Sequence, residues 1–120
     1  LVTGDLSFIY DINALWNQSI PENLKIIVVN NEGGGIFKII PGPKETPYTK
    51  EFFETKHNVN LKDLAKAHKI KFNSTDNIND ATKKLINLFS TKTTEILEIK
   101  TGNVANEDIL MDYFKAIKTN

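Results

Sequence analysis

Two polar pairs near the beginning of the chain have the residue types to hold a metal-bound phosphate. Gly4-Asp5 follows the hydrophobic run 1–3, and Asn30-Asn31 follows the run 24–29. In open α/β sheets ligands bind beyond the carboxyl ends of the strands, so neighbouring parallel strands would bring both pairs to one edge. Carboxylate, amide and carbonyl oxygens suit Mg2+, which completes its octahedral shell with phosphate and water. The two pairs therefore predict a magnesium and phosphate site.

The residues around Asp5 also indicate a phosphate contact. Gly4 would let the backbone turn sharply, and the N–H groups of Leu6 and Ser7 would lie unpaired at the start of a helix. A carbonyl from the glycine run after Asn31 would add a third oxygen. Each pair also has a simpler interpretation, since Gly-Asp can be a turn with Asp as a helix N-cap and Asn-Asn a plain loop. Their occurrence on successive strands favours the metal site.

The pattern of apolar residues predicts the elements that carry these pairs. Apolar residues recur at helical spacing after Asp5, and the run 24–29 shows almost no alternation, which is typical of a parallel strand covered on both faces. The chain continues with a predicted helix capped by Asn60, a strand over 69–72, a helix over 76–89, a strand over 94–100 and a helix over 106–118. Strands that alternate with helices predict an α/β fold, with three α/β/α layers around a parallel sheet.

Three of the predicted helices have an apolar face that we expect to be buried. In the first helix the face consists of Phe8, Ile9, Ile12, Leu15 and Trp16. In the helix over 76–89 it consists of Ile78, Ala81, Leu85, Leu88 and Phe89. In the last helix it consists of Ile109, Leu110, Tyr113, Phe114 and Ile117. These faces predict helices packed against the sheet or against each other.

The segment 36–59 has neither helical nor strand periodicity. A loop of this length in a small domain is usually functional or packs against a partner. His57 lies in this segment, and the sequence assigns it no role. His68 falls on an apolar helical face, which is more typical of a core histidine than of a catalyst.

Composition limits the class of protein. The 120 residues have room for one domain, and the opening run 1–3 reads as the end of a buried strand, so we expect one partial domain (1–120) of a larger polypeptide, truncated at its N-terminus. Fifteen basic and fifteen acidic residues give no net charge, which argues against nucleic acid or an anionic membrane as a partner. The absence of cysteine excludes disulfides and thiolate chemistry, and it favours a cytoplasmic setting.

The two polar pairs and their flanks carry a family resemblance. Gly4-Asp5 followed by Asn30-Asn31 resembles the signature of thiamine-diphosphate enzymes. More narrowly, residues 4–15 and 28–37 are similar to the menaquinone-pathway enzyme 2-succinyl-5-enolpyruvyl-6-hydroxy-3-cyclohexene-1-carboxylate synthase. The general family usually has Gly after the Asp, and it is the variant Leu6-Ser7 that points to this branch. The resemblance implies the thiamine-diphosphate-binding fold.

The resemblance also implies a role for particular residues. It implies that Mg2+ is ligated by Asp5, Asn31 and the Gly33 carbonyl. It implies that the cofactor is contacted by these three residues and by Gly4, Leu6, Ser7, Ile36 and Phe37. Ile36 and Phe37 would form an apolar shell near the reacting end of the cofactor, although from the residues alone the same pair could be plain core. No residue of this chain matches the activating glutamate of the family, which lies on a separate domain.

The activity implied by the resemblance is a synthase reaction. The family decarboxylates 2-oxoglutarate on thiamine diphosphate with Mg2+ and adds the resulting succinyl carbanion to isochorismate. Because the chain contains no Arg, we expect substrate carboxylates to be bound largely outside it, in other domains or a second subunit of a dimer or tetramer. This chain alone should be inactive.

Three other interpretations remain open at this point. Another thiamine-diphosphate enzyme, such as a 2-oxoacid decarboxylase or an acetolactate-forming synthase, would share the metal pairs. A non-catalytic binding or assembly module would bind neither metal nor cofactor. A flavodoxin-like phosphate-binding domain would not need paired asparagines.

Overall fold

The computed structural model describes residues 1–102 and 106–118, apart from the side chains of Lys44 and Glu107. These residues form two compact units. The first unit consists of 1–30 and 58–101, and the second of 31–57 and the segment from 102 onward. The chain passes from the first unit to the second between Asn30 and Asn31.

The first unit contains a four-stranded parallel sheet. Its strands are β1 (Val2–Gly4), β2 (Lys25–Asn30), β3 (Lys71–Thr75) and β4 (Glu95–Lys100), in the order β1-β2-β4-β3. Every pairing in this sheet is parallel, as the unalternating run of β2 predicts. All strand carboxyl ends therefore lie at the same edge.

Three helices cover this sheet. They are α1 (Asp5–Asp11), which continues as a 3-10 helix over Ile12–Trp16, α2 (Leu61–Ala67) and α3 (Ile78–Ser90). The side chain of Asn60 accepts a hydrogen bond from the Lys62 N–H and caps α2, as predicted. Asn77 caps α3 in the same way. Each cap satisfies N–H groups that the helix itself leaves unpaired.

The core of the first unit lies on one face of the sheet. Its fully buried members come from α1, α2, the 3-10 helix and the two central strands, and they are Phe8, Leu15, Ile26, Val28, Leu61, Ala65 and Ile96. Because side chains alternate along a strand, Leu97 projects from the opposite face, and it is buried as well. The central strand β4 is thus covered on both faces.

The second unit contains little regular structure before its helix. The 3-10 helices Gly35–Lys38 and Pro43–Glu45 and the short π-helix Thr49–Phe53 interrupt the segment predicted to be irregular. Helix α4 (Asn106–Lys118) packs against the first of these turns. No helix among the described residues is long and apolar enough to cross a membrane.

Several predicted details are wrong. The first helix changes to 3-10 geometry at Ile12, and Trp16 is 77% exposed. In α3, Ile78 and Phe89 are exposed at its two ends, because the sheet does not cover the full length of the predicted apolar face. Strand β3 begins at Lys71 and ends at Thr75, later than the predicted 69–72. Four members of the predicted apolar face of α4 are exposed, namely Ile109, Tyr113, Phe114 and Ile117.

Candidate functional site

The carboxyl ends of β1 and β2 lie side by side. Gly4 is paired with Val29, the last pair between β1 and β2. Asp5 and Asn30 are the residues that directly follow this pair. Asp5 is 3% exposed and Asn30 is 6% exposed. Two buried polar side chains therefore occupy the edge at which the sequence predicts a metal site.

The backbone at Gly4 differs from the prediction. Its φ of −80° and ψ of 164° are extended values that any residue can adopt, so no sharp turn requires glycine here. A Cβ added to Gly4 would meet no atom of the described residues within 4 Å, its two neighbours in the chain apart. The alternative in which Asp5 is a helix N-cap is also wrong, because Gly4 is the N-cap and Asp5 is the first helical residue. Open space at Gly4 fits the close approach of a ligand to the backbone.

A buried carboxylate joins the ends of three strands beside this site. The Asn30 side-chain amide donates a hydrogen bond to Glu98 Oε1 at 2.6 Å, and the Ser74 hydroxyl donates to Glu98 Oε2 at 2.6 Å. Glu98 is 5% exposed, and Lys100 Nζ lies 4.0 Å from Oε2. We call the side chains of Asn30, Ser74 and Glu98 the Glu98 cluster. The cluster lies nearer the carboxyl ends of the strands than the apolar residues Ile26, Val28 and Ile96.

Pattern reasoning missed the Glu98 cluster. Glu98 lies two residues after Ile96 in β4, so both side chains project from the same face of the strand. On a strand exposed to solvent, a polar residue at this position would simply contact water. The available signal was the parallel sheet itself, because a central strand covered on both faces buries every position. A Glu in such a strand needs hydrogen-bond donors nearby.

The second unit contains the glycine run that follows Asn31. The Gly34 N–H donates to the Glu54 carbonyl at 2.5 Å. A Cβ on Gly33 would lie 2.8 Å from the same carbonyl oxygen, and a Cβ on Gly35 would lie 2.8 Å from Asn31 Nδ2. The first contact is with a backbone atom, so glycine is required at Gly33, whereas the contact at Gly35 is with the end of the Asn31 side chain, which can shift.

The side chain of Glu54 lies beneath this glycine run. It is 3% exposed and forms an ion pair with Lys38 at 2.9 Å through Oε1, while Oε2 is buried with no hydrogen-bond partner among the described residues. Phe37 packs against Phe53 with ring centroids 5.6 Å apart. Ile36 is 56% exposed, so the interpretation of Ile36 as core is wrong.

Comparison with known proteins identifies the family. Residues 1–99 match the model of the family described as thiamine pyrophosphate enzyme, C-terminal TPP binding domain. The chain belongs to this family. The predicted resemblance to thiamine-diphosphate enzymes is therefore confirmed.

Curated relatives narrow the resemblance within the thiamine-diphosphate family. The chain is similar to 2-succinyl-5-enolpyruvyl-6-hydroxy-3-cyclohexene-1-carboxylate synthase of Flavobacterium psychrophilum, at 46% identity over 115 residues, 96% of the chain and 21% of the relative. It is 44% identical to the synthase of the same name from Flavobacterium johnsoniae over 117 residues, 97% of the chain and 21% of the relative. The chain thus spans about a fifth of the length of these relatives. The predicted similarity to this synthase branch is confirmed.

A solved structure supports the fold. The thiamine diphosphate-dependent 4-hydroxybenzoylformate decarboxylase of Rhodococcus jostii RHA1 matches with a TM-score of 0.67 at 23% identity, over 84% of this chain and 19% of that one. At this identity the likeness concerns the fold alone. Together with the parallel sheet it confirms the predicted α/β thiamine-diphosphate-binding fold.

The donor chemistry of the chain fits a magnesium-bound diphosphate. Among the described residues no group of three or more His, Cys, Asp and Glu could hold a metal. The predicted ligands Asp5, Asn31 and Gly33 are a carboxylate, a side-chain amide and a backbone carbonyl. These are the hard donors that Mg2+ prefers.

The amino end of the same sheet carries a second buried carboxylate. Glu95, 2% exposed, accepts hydrogen bonds from Lys71 Nζ at 3.1 Å and from the Thr93 hydroxyl at 3.0 Å. Burial acts to raise the pKa of Glu95, but hydrogen bonds from Thr91, Lys71 and Thr93 outweigh it, so its pKa lies below the ordinary value of 4.5. Glu95 is therefore charged at neutral pH and stabilised locally.

The two histidines lie outside the predicted site residues. His68 follows the last residue of α2, where its backbone N–H donates to the Leu64 carbonyl, and its side chain is half-buried. His68 is thus only partly buried, whereas the sequence predicts a core histidine. His57 is half-buried at the end of the irregular segment of the second unit.

Proposed function

We propose that the chain is the Mg2+- and diphosphate-binding part of a 2-succinyl-5-enolpyruvyl-6-hydroxy-3-cyclohexene-1-carboxylate synthase. The observation that carries the proposal is the pairing of Gly4 with Val29, which brings the carboxyl ends of β1 and β2 together. It occurs in a chain whose relatives over nearly its full length bear that name. Residues 1–120 would then form one partial domain of a larger multidomain enzyme.

Three residues hold the metal in this proposal. Asp5 supplies a carboxylate oxygen, Asn31 an amide oxygen and Gly33 its backbone carbonyl. The burial of Asp5 supports its role, because a carboxylate removed from water interacts more strongly with a cation. Three protein oxygens leave positions in the octahedral shell for phosphate oxygens and water.

Five further contacts with the cofactor follow from the same proposal. The backbone at Gly4 gives the diphosphate room to approach, and the N–H groups of Leu6 and Ser7 in the first turn of α1 have no acceptor within the helix. Ile36 and Phe37 supply an apolar surface at the reacting end. Such a surface disfavours the charge of a bound oxoacid and so favours loss of its carboxylate.

The reaction would be the transfer of a succinyl group. When bound, thiamine diphosphate supplies the chemistry by which 2-oxoglutarate loses carbon dioxide and the remaining group is joined to isochorismate. The residues of this chain hold the metal, orient the diphosphate and exclude water. The proposal assigns the acid that activates the cofactor to another domain.

The isolated chain should accordingly be inactive. We expect no turnover of 2-oxoglutarate and isochorismate by residues 1–120 with thiamine diphosphate and Mg2+, since the chain contains no Arg to bind carboxylates and the proposal assigns the activating acid to another domain. Product formation by this chain alone would contradict the assignment of the activating acid to another domain. A dimeric or tetrameric cytoplasmic enzyme stays a prediction, which sedimentation of the intact protein and cell fractionation would test.

Calorimetry tests the proposal directly. In the intact protein we expect thiamine diphosphate to bind only when Mg2+ is present, and Asp5→Ala to weaken that binding roughly 100-fold or more, as loss of a direct ligand should exceed the 10- to 100-fold effects typical of outer groups. Equal affinity in wild type and Asp5→Ala would remove Asp5 from the site. Binding independent of Mg2+ would remove the metal.

A further inference from the structure

A single buried carboxylate fixes the side chain of the last residue of β2. In the Glu98 cluster the two carboxylate oxygens accept from the Asn30 amide and the Ser74 hydroxyl, each at 2.6 Å. A carboxylate only accepts hydrogen bonds, so the amide nitrogen of Asn30 must face Glu98 and its oxygen must face away. Glu98 thereby determines which way the Asn30 amide points.

The main chain of Asn30 is held as well. Its carbonyl accepts a hydrogen bond from the Thr101 N–H at 2.9 Å and from the Thr101 hydroxyl at 3.4 Å. Asn30 is therefore restrained through both side chain and backbone. The next residue in the chain is Asn31, the proposed metal ligand.

Packing does not account for a glutamate at this position. A buried carboxylate has a large desolvation penalty, and apolar residues of similar volume often serve a protein interior as well or better. Lys100 lies 4.0 Å from the carboxylate, and the two closest partners, Asn30 and Ser74, are neutral. A charged acceptor kept in such surroundings is best explained by the donors that it orients.

We infer that Glu98 is a positioning residue for the cofactor site: its carboxylate orients Asn30 and so fixes the end of β2 from which the ligand Asn31 follows. This inference rests on the proposed function, because it is measured through Mg2+-dependent binding of thiamine diphosphate. Outer groups that orient ligands typically change metal affinity 10- to 100-fold when they are lost.

Exchanging the two side chains tests the contact in the intact enzyme. Asn30→Asp places a second carboxylate against Glu98 and should weaken Mg2+-dependent binding of thiamine diphosphate at least about tenfold. In the double variant Asn30→Asp with Glu98→Gln, the new amide donates to Asp and its oxygen accepts from Ser74, so the affinity should return to within about threefold of wild type. Glu98→Gln alone keeps an acceptor for Asn30 and should bind normally.

Glu95→Leu is the matched control, since Glu95 is a buried glutamate at the other end of the same strand. It should lower the unfolding midpoint while leaving the affinity unchanged, whereas Glu98→Leu should lower both. If Asn30→Asp fails to fold, recovery of folding and binding in the double variant supports the inference equally.

Two results would overturn this inference alone: wild-type affinity in Asn30→Asp, or a double variant that folds like wild type but binds as weakly as Asn30→Asp. Absence of binding in the wild-type enzyme would instead overturn the proposed function, and this inference with it.

Discussion

The two ends of β4 each bury a glutamate, and the two glutamates have different partners. Glu95, at the amino end, accepts from Lys71, whose side chain is 59% exposed, and from threonine hydroxyls that lie close in sequence. Glu98, at the carboxyl end, accepts from Asn30 and Ser74, which lie on the strands to either side. The amino-end contacts thus stabilise one edge of the sheet locally, while the carboxyl-end contacts align three strand ends.

The two ends differ in what the removal of their glutamate would cost. A charge paired with a partly exposed lysine can be replaced at modest cost, because the lysine reaches water when its partner is removed. Removing a carboxylate that accepts from two donors costs more, because both donors lose that acceptor. The edge with the costlier arrangement is also the edge that carries Asp5.

The largest expected effect is a difference in stability between variants at the two ends of β4. Glu98→Leu should lower the free energy of unfolding by about 3 kcal/mol, because it removes a buried acceptor that serves both the Asn30 amide and the Ser74 hydroxyl. Glu95→Leu should lower it by about 1 kcal/mol, since Lys71 can turn to solvent. Urea denaturation measures both. Equal losses would mean that the two ends do not differ in the way described.

A smaller effect separates binding from stability at the carboxyl end. Gly4→Ala should leave the unfolding midpoint unchanged, because its backbone angles suit alanine and its Cβ would clash with nothing in the part of the chain that the structure describes. The same methyl would occupy the space proposed for the diphosphate and should weaken cofactor binding about tenfold, or roughly 1.4 kcal/mol. Gly33→Ala is the contrasting control, because its Cβ would lie 2.8 Å from the Glu54 carbonyl and should destabilise the fold. An unchanged affinity in Gly4→Ala would separate Gly4 from the cofactor.

The smallest effect concerns acid stability at the amino end. The pKa of Glu95 is lowered in the folded protein, so the unfolded chain takes up the proton first as the pH falls. The contribution of Glu95 is therefore fully present above its ordinary value of 4.5 and is lost as the pH falls through the lower, folded pKa. Glu95→Gln should flatten the loss of stability below this pH, measured by thermal unfolding from pH 7 to pH 3. An unaltered pH profile would contradict the assigned direction of the shift.

Local patterns predict the order of elements well in this chain. The order of the strands, the cap Asn60 at the start of α2 and the span of α4 follow from periodicity and side-chain capping, which depend only on near neighbours in sequence. Exposure is predicted less well. Trp16 and Ile78 fit an apolar helical face, yet periodicity does not say how far along the helix the sheet extends.

The residues of the candidate site also differ in whether the sequence predicts them. Asp5, Asn31 and Gly33 are predicted as ligands from residue types that a family shares, and these assignments stay predictions. Glu98 and Ser74 could not be found so, since their contact depends on β3 and β4 pairing in the register that places Ser74 opposite Glu98. The prediction that Gly4 allows a sharp turn was wrong. The sequence alone does not distinguish a glycine required by the backbone conformation from a glycine that leaves space for a ligand.

Metal binding at the two ends of the sheet tests the central claim most directly. In the intact enzyme with thiamine diphosphate, Mn2+ can replace Mg2+ as an oxygen-ligated probe, and its free fraction can be read by electron paramagnetic resonance. We predict that wild type and Glu95→Gln bind Mn2+ with the same affinity and that Asp5→Asn, which removes only a charge, binds it roughly 100-fold more weakly. Wild-type affinity in Asp5→Asn would contradict a magnesium site at the carboxyl end of the sheet.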